Sequence, residues 1–278
     1  MRASTSIEVI FILCVVSIVA LTRYVFVPLR LRRTHWLATD SEIQPVDPAQ
    51  WQPERVEAYL KRVVDVLRPE GFEVLGDYAM TNFLERVAGV NRVLVNRTTR
   101  TSATVIINFL KSKAGVWDMN HTVIAFRTDF VDGTQLVTSN FKLTNAVPPK
   151  PGLRTCSFVR FRNPQVLAEI HEAIIDRYYE GKRRDWPLDT RFGGDPIAFV
   201  RSHQPEAFER YVASGYYYED RDENRLRLTL KGAFLTAWKN SSPWKGLRDS
   251  KRDREAARIL KELEMDYQGR KRREEDGG

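Results

Sequence analysis

The sequence predicts an α+β protein: a single N-terminal transmembrane helix, then an antiparallel β-meander with packed helices and a mainly helical C-terminal part. Three observations carry this. Ile7–Val27 holds no charge apart from Glu8 and Arg23. Between residues 72 and 141, short Val- and Ile-rich runs alternate with turn residues. Beyond residue 152 the apolar residues return at helical spacing, interrupted once by a hairpin pattern.

The anchor comes first. A bilayer core takes about 20 mostly apolar residues wound as a helix. Ile7–Val27 reaches that length if Glu8 and Arg23 snorkel to the two interfaces. A cleaved signal peptide would want a basic start and a small-x-small cleavage site. Here the start has only Arg2, and the apolar run is followed by Thr22-Arg23-Tyr24. Cys14 lies mid-span after Leu13, which suits an apolar filler and not a lipoprotein cysteine. Arg23, Arg30, Arg32 and Arg33 flank the far side of the span, against Arg2 alone on the near side. Positive flanks stay cytoplasmic, so the amino terminus is expected outside and the body in the cytoplasm. The membrane is thus the first expected partner, held through residues 7–27. The same arginines suit anionic headgroups.

The segments are drawn at 1–33 for the anchor with its basic flank, 34–52 for a linker, 53–147 for a sheet with a covering helix, 148–267 for a helical part with a hairpin, and 268–278 for a charged, flexible tail. Pro45, Pro48 and Pro53 mark the linker as extended. A helix over Pro53–Leu67 places Val56, Leu60, Val63, Val64 and Leu67 on one face. Strands follow at 72–75, 91–96, 103–110, 122–130 and 135–141, with Asp132-Gly133 as the clearest hairpin turn. Short turns imply antiparallel pairing, with one face solvated and the other under the helix. The Pro-rich run Val147–Gly152 marks a boundary. A strand at 155–161 precedes a helix with Asn163 as N-cap and Pro164 at its first position, burying Leu167, Ile170, Ile174 and Tyr178. Residues 180–201 read as irregular. Helices are expected at 205–213, 230–239 and 252–267, the last with an Ala256, Ile259, Leu260, Leu263, Tyr267 stripe.

Composition bounds the chemistry. The chain has 278 residues and a formal net charge of +8, which suits an anionic membrane face. Two cysteines, Cys14 in the span and Cys156 in the body, allow no disulfide framework and no cysteine metal site. His35, His121, His171 and His203 are not in ligand spacing, and the position four after His171 is Ile175, so the zinc-protease helix motif fails. His171 beside its helix's apolar stripe reads as a structural, hydrogen-bonded residue. No nucleophile elbow, phosphate loop or dinucleotide fingerprint occurs. No catalytic residue, metal, cofactor or small-molecule ligand is therefore assigned. Tyr216-Tyr217-Tyr218 reads as a strand with Tyr217 buried. Lys245, Arg248, Lys251, Arg252 and Arg254 crowd the start of the last helix, where the dipole disfavours cations, and form a candidate contact surface for lipid or protein.

Residues 205–238 run helix, Gly215-Tyr216, charged turn, then Arg225-Leu226-Arg227-Leu228-Thr229-Leu230-Lys231-Gly232. This order resembles the recognition helix, wing and closing helix of winged-helix DNA-binding domains. In that family the recognition helix presents basic and polar side chains to the major groove. Here it offers Arg210 beside Glu206 and Glu209, so nucleic acid is disfavoured as a partner. The leading expectation is a membrane-tethered cytoplasmic interaction or regulatory module without catalysis, with a protein partner. The alternatives are an enzyme whose carboxylate or His site is assembled from distant residues, and a membrane-tethered winged-helix-like DNA binder.

Overall fold

A computed structural model gives the fold, and the structure describes residues 2–39, 42–47, 53–84, 87–111, 117–141 and 150–265. The chain divides into two compact units, each discontinuous in sequence. One comprises Met1–Asp40, Thr144–Pro148 and Ala207–Arg248; the other Ser41–Leu143, Pro149–Glu206 and Asp249–Gly278.

In the first unit a helix α1 (Arg2–Leu21) runs through a π-helical turn at Thr22–Phe26 into α2 (Val27–Thr34). The turn has a sequence cause. Pro28 brings no N–H, and the ladder widens just before it, with the Val27 N–H bonding the Thr22 carbonyl. This helix is long and apolar enough to cross a membrane, and none of its apolar window is buried inside the fold. Strand β1 (Trp36–Ala38) then pairs antiparallel with β11 (Arg225–Leu228), which pairs with β10 (Tyr217–Asp220). The Arg225 guanidinium sits 4.0 Å over the Trp36 ring. Helix α7 (Leu230–Asn240) is capped by Thr229, whose hydroxyl accepts from the Gly232 N–H and donates to the Gly215 carbonyl. Gly232 lets α7 approach the Tyr216 backbone, and α7 packs on α2 and on the π turn. Tyr216 and Tyr217 are both buried and Tyr218 is exposed, because Tyr216 precedes the strand and turns inward with Tyr217.

The second unit is a sheet with strand order β2-β3-β4-β5-β6-β7-β8: β2 (Glu42–Pro45), β3 (Glu73–Leu84), β4 (Val87–Asn96), β5 (Thr101–Lys111), β6 (Trp117–Phe130), β7 (Gln135–Ser139) and β8 (Leu153–Ser157). The short β9 (Arg184–Asp185) pairs with the end of β6. Neighbours are antiparallel through β7; from β3 onward the short connections require it, while β2 reaches β3 through the helix between them. The β6–β7 turn is the Asp132-Gly133 hairpin, with Gly133 at φ +81° and the Asp132 carboxylate accepting from the Thr134 N–H. Helix α3 (Pro53–Leu67) buries all five residues of its expected stripe. Helix α4 (Pro164–Tyr178) starts with the Asn163 side chain accepting from the Gln165 N–H. Both helices join the main core with Leu94, Ile107, Ile124 and Phe126 of the sheet.

Several expectations are corrected. The strand at 72–75 is the start of the twelve-residue β3, which carries a register shift between Val74 and Gly76. The 34–52 segment is more than a linker, since it supplies β1 and β2. Strand β8 pairs parallel with β7 and ends at Ser157. Residues 180–201 are ordered: β9, α5 (Pro187–Thr190) and the first turn and more of α6 (Pro196–Ala213). The Asp195 carboxylate caps α6 by accepting from the Ile197 and Ala198 N–H groups, so Pro205 lies inside a helix and does not start one. The sheet's second face is not simply solvated. Trp186, Leu188 and Phe199 cover Val95, and Ile197 and Val200 pack by Ile43, Tyr78 and Val93. The last helix, α8 (Trp244–Glu262), begins eight residues earlier than its apolar stripe suggested. The first half of the Pro-rich run 147–152, and Tyr267 with the tail, fall outside the described residues.

Candidate functional site

Several chemistry-bearing side chains gather in the sheet unit around a histidine closed off from solvent. His171 of α4 is fully buried, with its Nε2 2.9 Å from the Thr128 hydroxyl and its Nδ1 2.9 Å from the Thr138 hydroxyl. Proton counting fixes the roles. The Thr101 hydroxyl donates to Glu172, so it accepts from Thr128 at 2.9 Å. Thr128 has then used its only proton and accepts from His171 Nε2–H, leaving Nδ1 to accept from Thr138. Glu172 in turn receives the Arg184 guanidinium at 2.6 Å. Burial, aided by the nearby Arg184 charge, pushes the imidazole down to about 3. A neutral, doubly bonded ring without access to solvent is a structural element and not a base.

Burial pushes the Cys156 thiol up to about 11, which leaves it a poor nucleophile. The His35 ring contacts the Tyr217 hydroxyl at 3.2 Å, and burial lowers its affinity for a proton. His121 is exposed, its ring 5.4 Å from that of Phe141. Arg92–Asp77 is a two-pronged ion pair that joins β4 to β3, and Arg127–Asp129 is a two-pronged pair along β6. Among the described residues, no group of three or more His, Cys, Asp or Glu side chains is placed to hold a metal ion.

An open feature of this unit, among the described residues, is a groove of about 630 Å³ between the 157–161 loop and α8. Its apolar lining comes from Phe158, Phe161, Ala256 and Leu260, and its charged lining from Arg160, Arg254 and Lys261 against Asp253. The helix wall is fixed by Ile259, which is 1% exposed in the main core, and by a hydrogen bond from the Tyr178 hydroxyl to Glu262. The other wall follows the end of β8, where Phe158 turns into the core and stacks edge-on against Phe161.

No family model, curated protein or solved structure matches this chain. The reading of the site therefore rests on its own geometry.

The expected contact residues all lie on α8 but do not form one free basic face. Lys245, Lys251 and Arg254 are exposed. Arg248 is half-buried and donates to the Asn240 side chain at 3.2 Å, and Arg252 is half-buried on Asp249 at 2.8 Å. Arg254 alone among them lines the groove. Arg23, Arg30, Arg32 and Arg33 occupy the π turn and α2, directly after the apolar helix. The groove's helical wall was legible as the 256–263 stripe. Its other wall was not, because Phe158–Phe161 reads as a continued strand.

Proposed function

We propose that the chain is a single-pass membrane protein, amino terminus outside and body cytoplasmic, whose body is a non-catalytic interaction module. The groove beside α8 receives an apolar protein segment flanked by carboxylates. The carrying observation is the groove's lining, an apolar strip edged by three cations and one carboxylate. Such a strip favours a partner of opposite charge and disfavours a basic one. The membrane reading is supported by the exposed apolar helix and by the arginines that follow it. Absence of catalysis is supported by the closed state of His171 and Cys156. A DNA-binding role is disfavoured by the wing-like hairpin, whose Arg225 and Arg227 are paired with Glu223 and Asp220 and are not left to meet phosphates.

The test places a photoreactive residue at Ala257 of the full chain in native membranes. The expected result is a protein adduct whose mapped peptide carries Asp or Glu beside apolar residues, and which is lost in an Arg160→Glu, Arg254→Glu variant. An adduct formed only with residues 266–278 of the same chain would make the groove a seat for its own tail. Adducts with lipid alone, or none, refute the reading.

A further inference from the structure

The first unit carries an exposed aromatic face that the proposed function does not use. Helix α7 has two sides. Gly232, Ala233 and Ala237 are buried, while Leu230, Phe234 and Trp238, spaced four apart, are 47%, 38% and 44% exposed. A water-facing helix would carry polar residues in those positions. The row continues onto the start of α8, where Trp244 and Leu247 are also exposed.

The face is continuous with the apolar helix. The Trp238 ring lies 5.6 Å from that of Tyr24 in the π turn, and stacks on Trp244 at 5.2 Å. Tyr24 stands just beyond the uncharged run Val9–Thr22, beside Arg23. That is the level at which a spanning helix leaves hydrocarbon for headgroups, and Tyr and Trp concentrate there. Charge points the same way. Neither Ile10–Thr34 nor Leu230–Leu247 contains an Asp or Glu, while Arg23, Arg30, Arg33, Lys231 and Lys245 lie within them. A second copy seated on this face would bring those cations against each other, which disfavours a symmetric dimer.

We propose that α7 and the start of α8 lie in the headgroup layer of the membrane that the N-terminal helix crosses, with Leu230, Phe234, Trp238, Trp244 and Leu247 entering the acyl boundary and Lys231 and Lys245 meeting anionic lipid. The inference rests on the membrane reading above. The body is then held to the bilayer at a second line of contact, which limits its rotation about the spanning helix. Amphipathic helices with Trp and Phe on one side and Lys on the other bind in this way.

Spin labelling of the full chain in vesicles of phosphatidylcholine and phosphatidylglycerol tests it. Cys14→Ser removes the exposed thiol; Cys156 is buried. Single labels are then placed at Val16, Phe234 and Asp222, each through substitution by Cys, with Leu247→Cys as a second reporter of the face. The expected result is deep immersion at Val16, collisions with oxygen exceeding those with an aqueous nickel reagent at Phe234 and Leu247, and the reverse order at Asp222. Deep Val16 with nickel-accessible Phe234 and Leu247 overturns the inference and leaves the anchor standing. A nickel-accessible Val16 removes the anchor and this inference with it. Spin–spin broadening at Phe234 and Leu247, with both reagents excluded, assigns the face to a second copy and overturns it as well.

Discussion

Acidification is expected to loosen the sheet unit through His171, and the size of the effect follows from its surroundings. In the fold the ring is neutral, donating to Thr128 and accepting from Thr138 in a site with no exposure. Protonation would force Nδ1 to donate where it now accepts, in a place that water does not reach. The folded value, about 3, lies below the unfolded 6.5. Between the two, the unfolded chain holds the extra proton. Stability is therefore full above the unfolded value and falls as pH drops below it, down to the folded value. The linkage relation gives a loss of about 2 kcal/mol between about pH 7 and about pH 5 from this one residue. Other groups titrate in the same window, so the measurement is a comparison. His171→Gln keeps a donor and an acceptor but does not titrate. The unfolding free energy read from urea-dependent hydrogen exchange of β5 and β6 peptides should fall more steeply with falling pH for the unaltered chain than for the variant. Parallel pH dependences would mean that the ring is charged or solvated in the fold, and the hydrogen-bond assignment would fail with it.

Gly133→Val should destabilise the sheet unit by about 1 kcal/mol or more, because Gly133 sits at φ +81° where a β-branched residue is strained. Nothing lies within 4 Å of the added Cβ, so the cost is conformational, and an unchanged melting temperature would contradict the turn. Gly232→Ala sets two effects against each other. Alanine favours a helix by about 1 kcal/mol over glycine, but its Cβ would fall 2.0 Å from the Tyr216 carbonyl oxygen. Backbone cannot yield as a side-chain end does, so α7 must shift. Faster hydrogen exchange at residues 217–228 is the expected readout, and slower exchange would show that the close approach is absent.

Periodicity alone located α3 and α4, because each buries one stripe against one layer and the repeat survives whatever that layer is. The long apolar N-terminal helix was legible for a similar reason: it is apolar on all sides, with no partner face to specify. The Asp195-Pro196 start of α6 was present in the sequence as an N-cap and first-turn pair, but Pro205 downstream looked like the start instead. Val93-Leu94-Val95 also carried a signal, since consecutive apolar residues mean burial on both sides of a strand. What covers the second side, Trp186, Leu188 and Phe199, lies far along the chain.

By itself, then, the sequence determined the apolar N-terminal helix, the arginines that follow it, the stripes of the amphipathic helices and the β6–β7 turn. These are local matters, set by spacing, caps and backbone conformation within a few residues. Tertiary structure alone decided that β1 pairs with β11, that β8 runs parallel to β7, that His171 is sealed by Thr128 and Thr138, and that the 157–161 loop faces α8 across a groove. Each of these joins residues remote in the chain. Their pairing is chosen by how much apolar surface and how many polar groups the whole unit satisfies at once, a quantity that no local window contains.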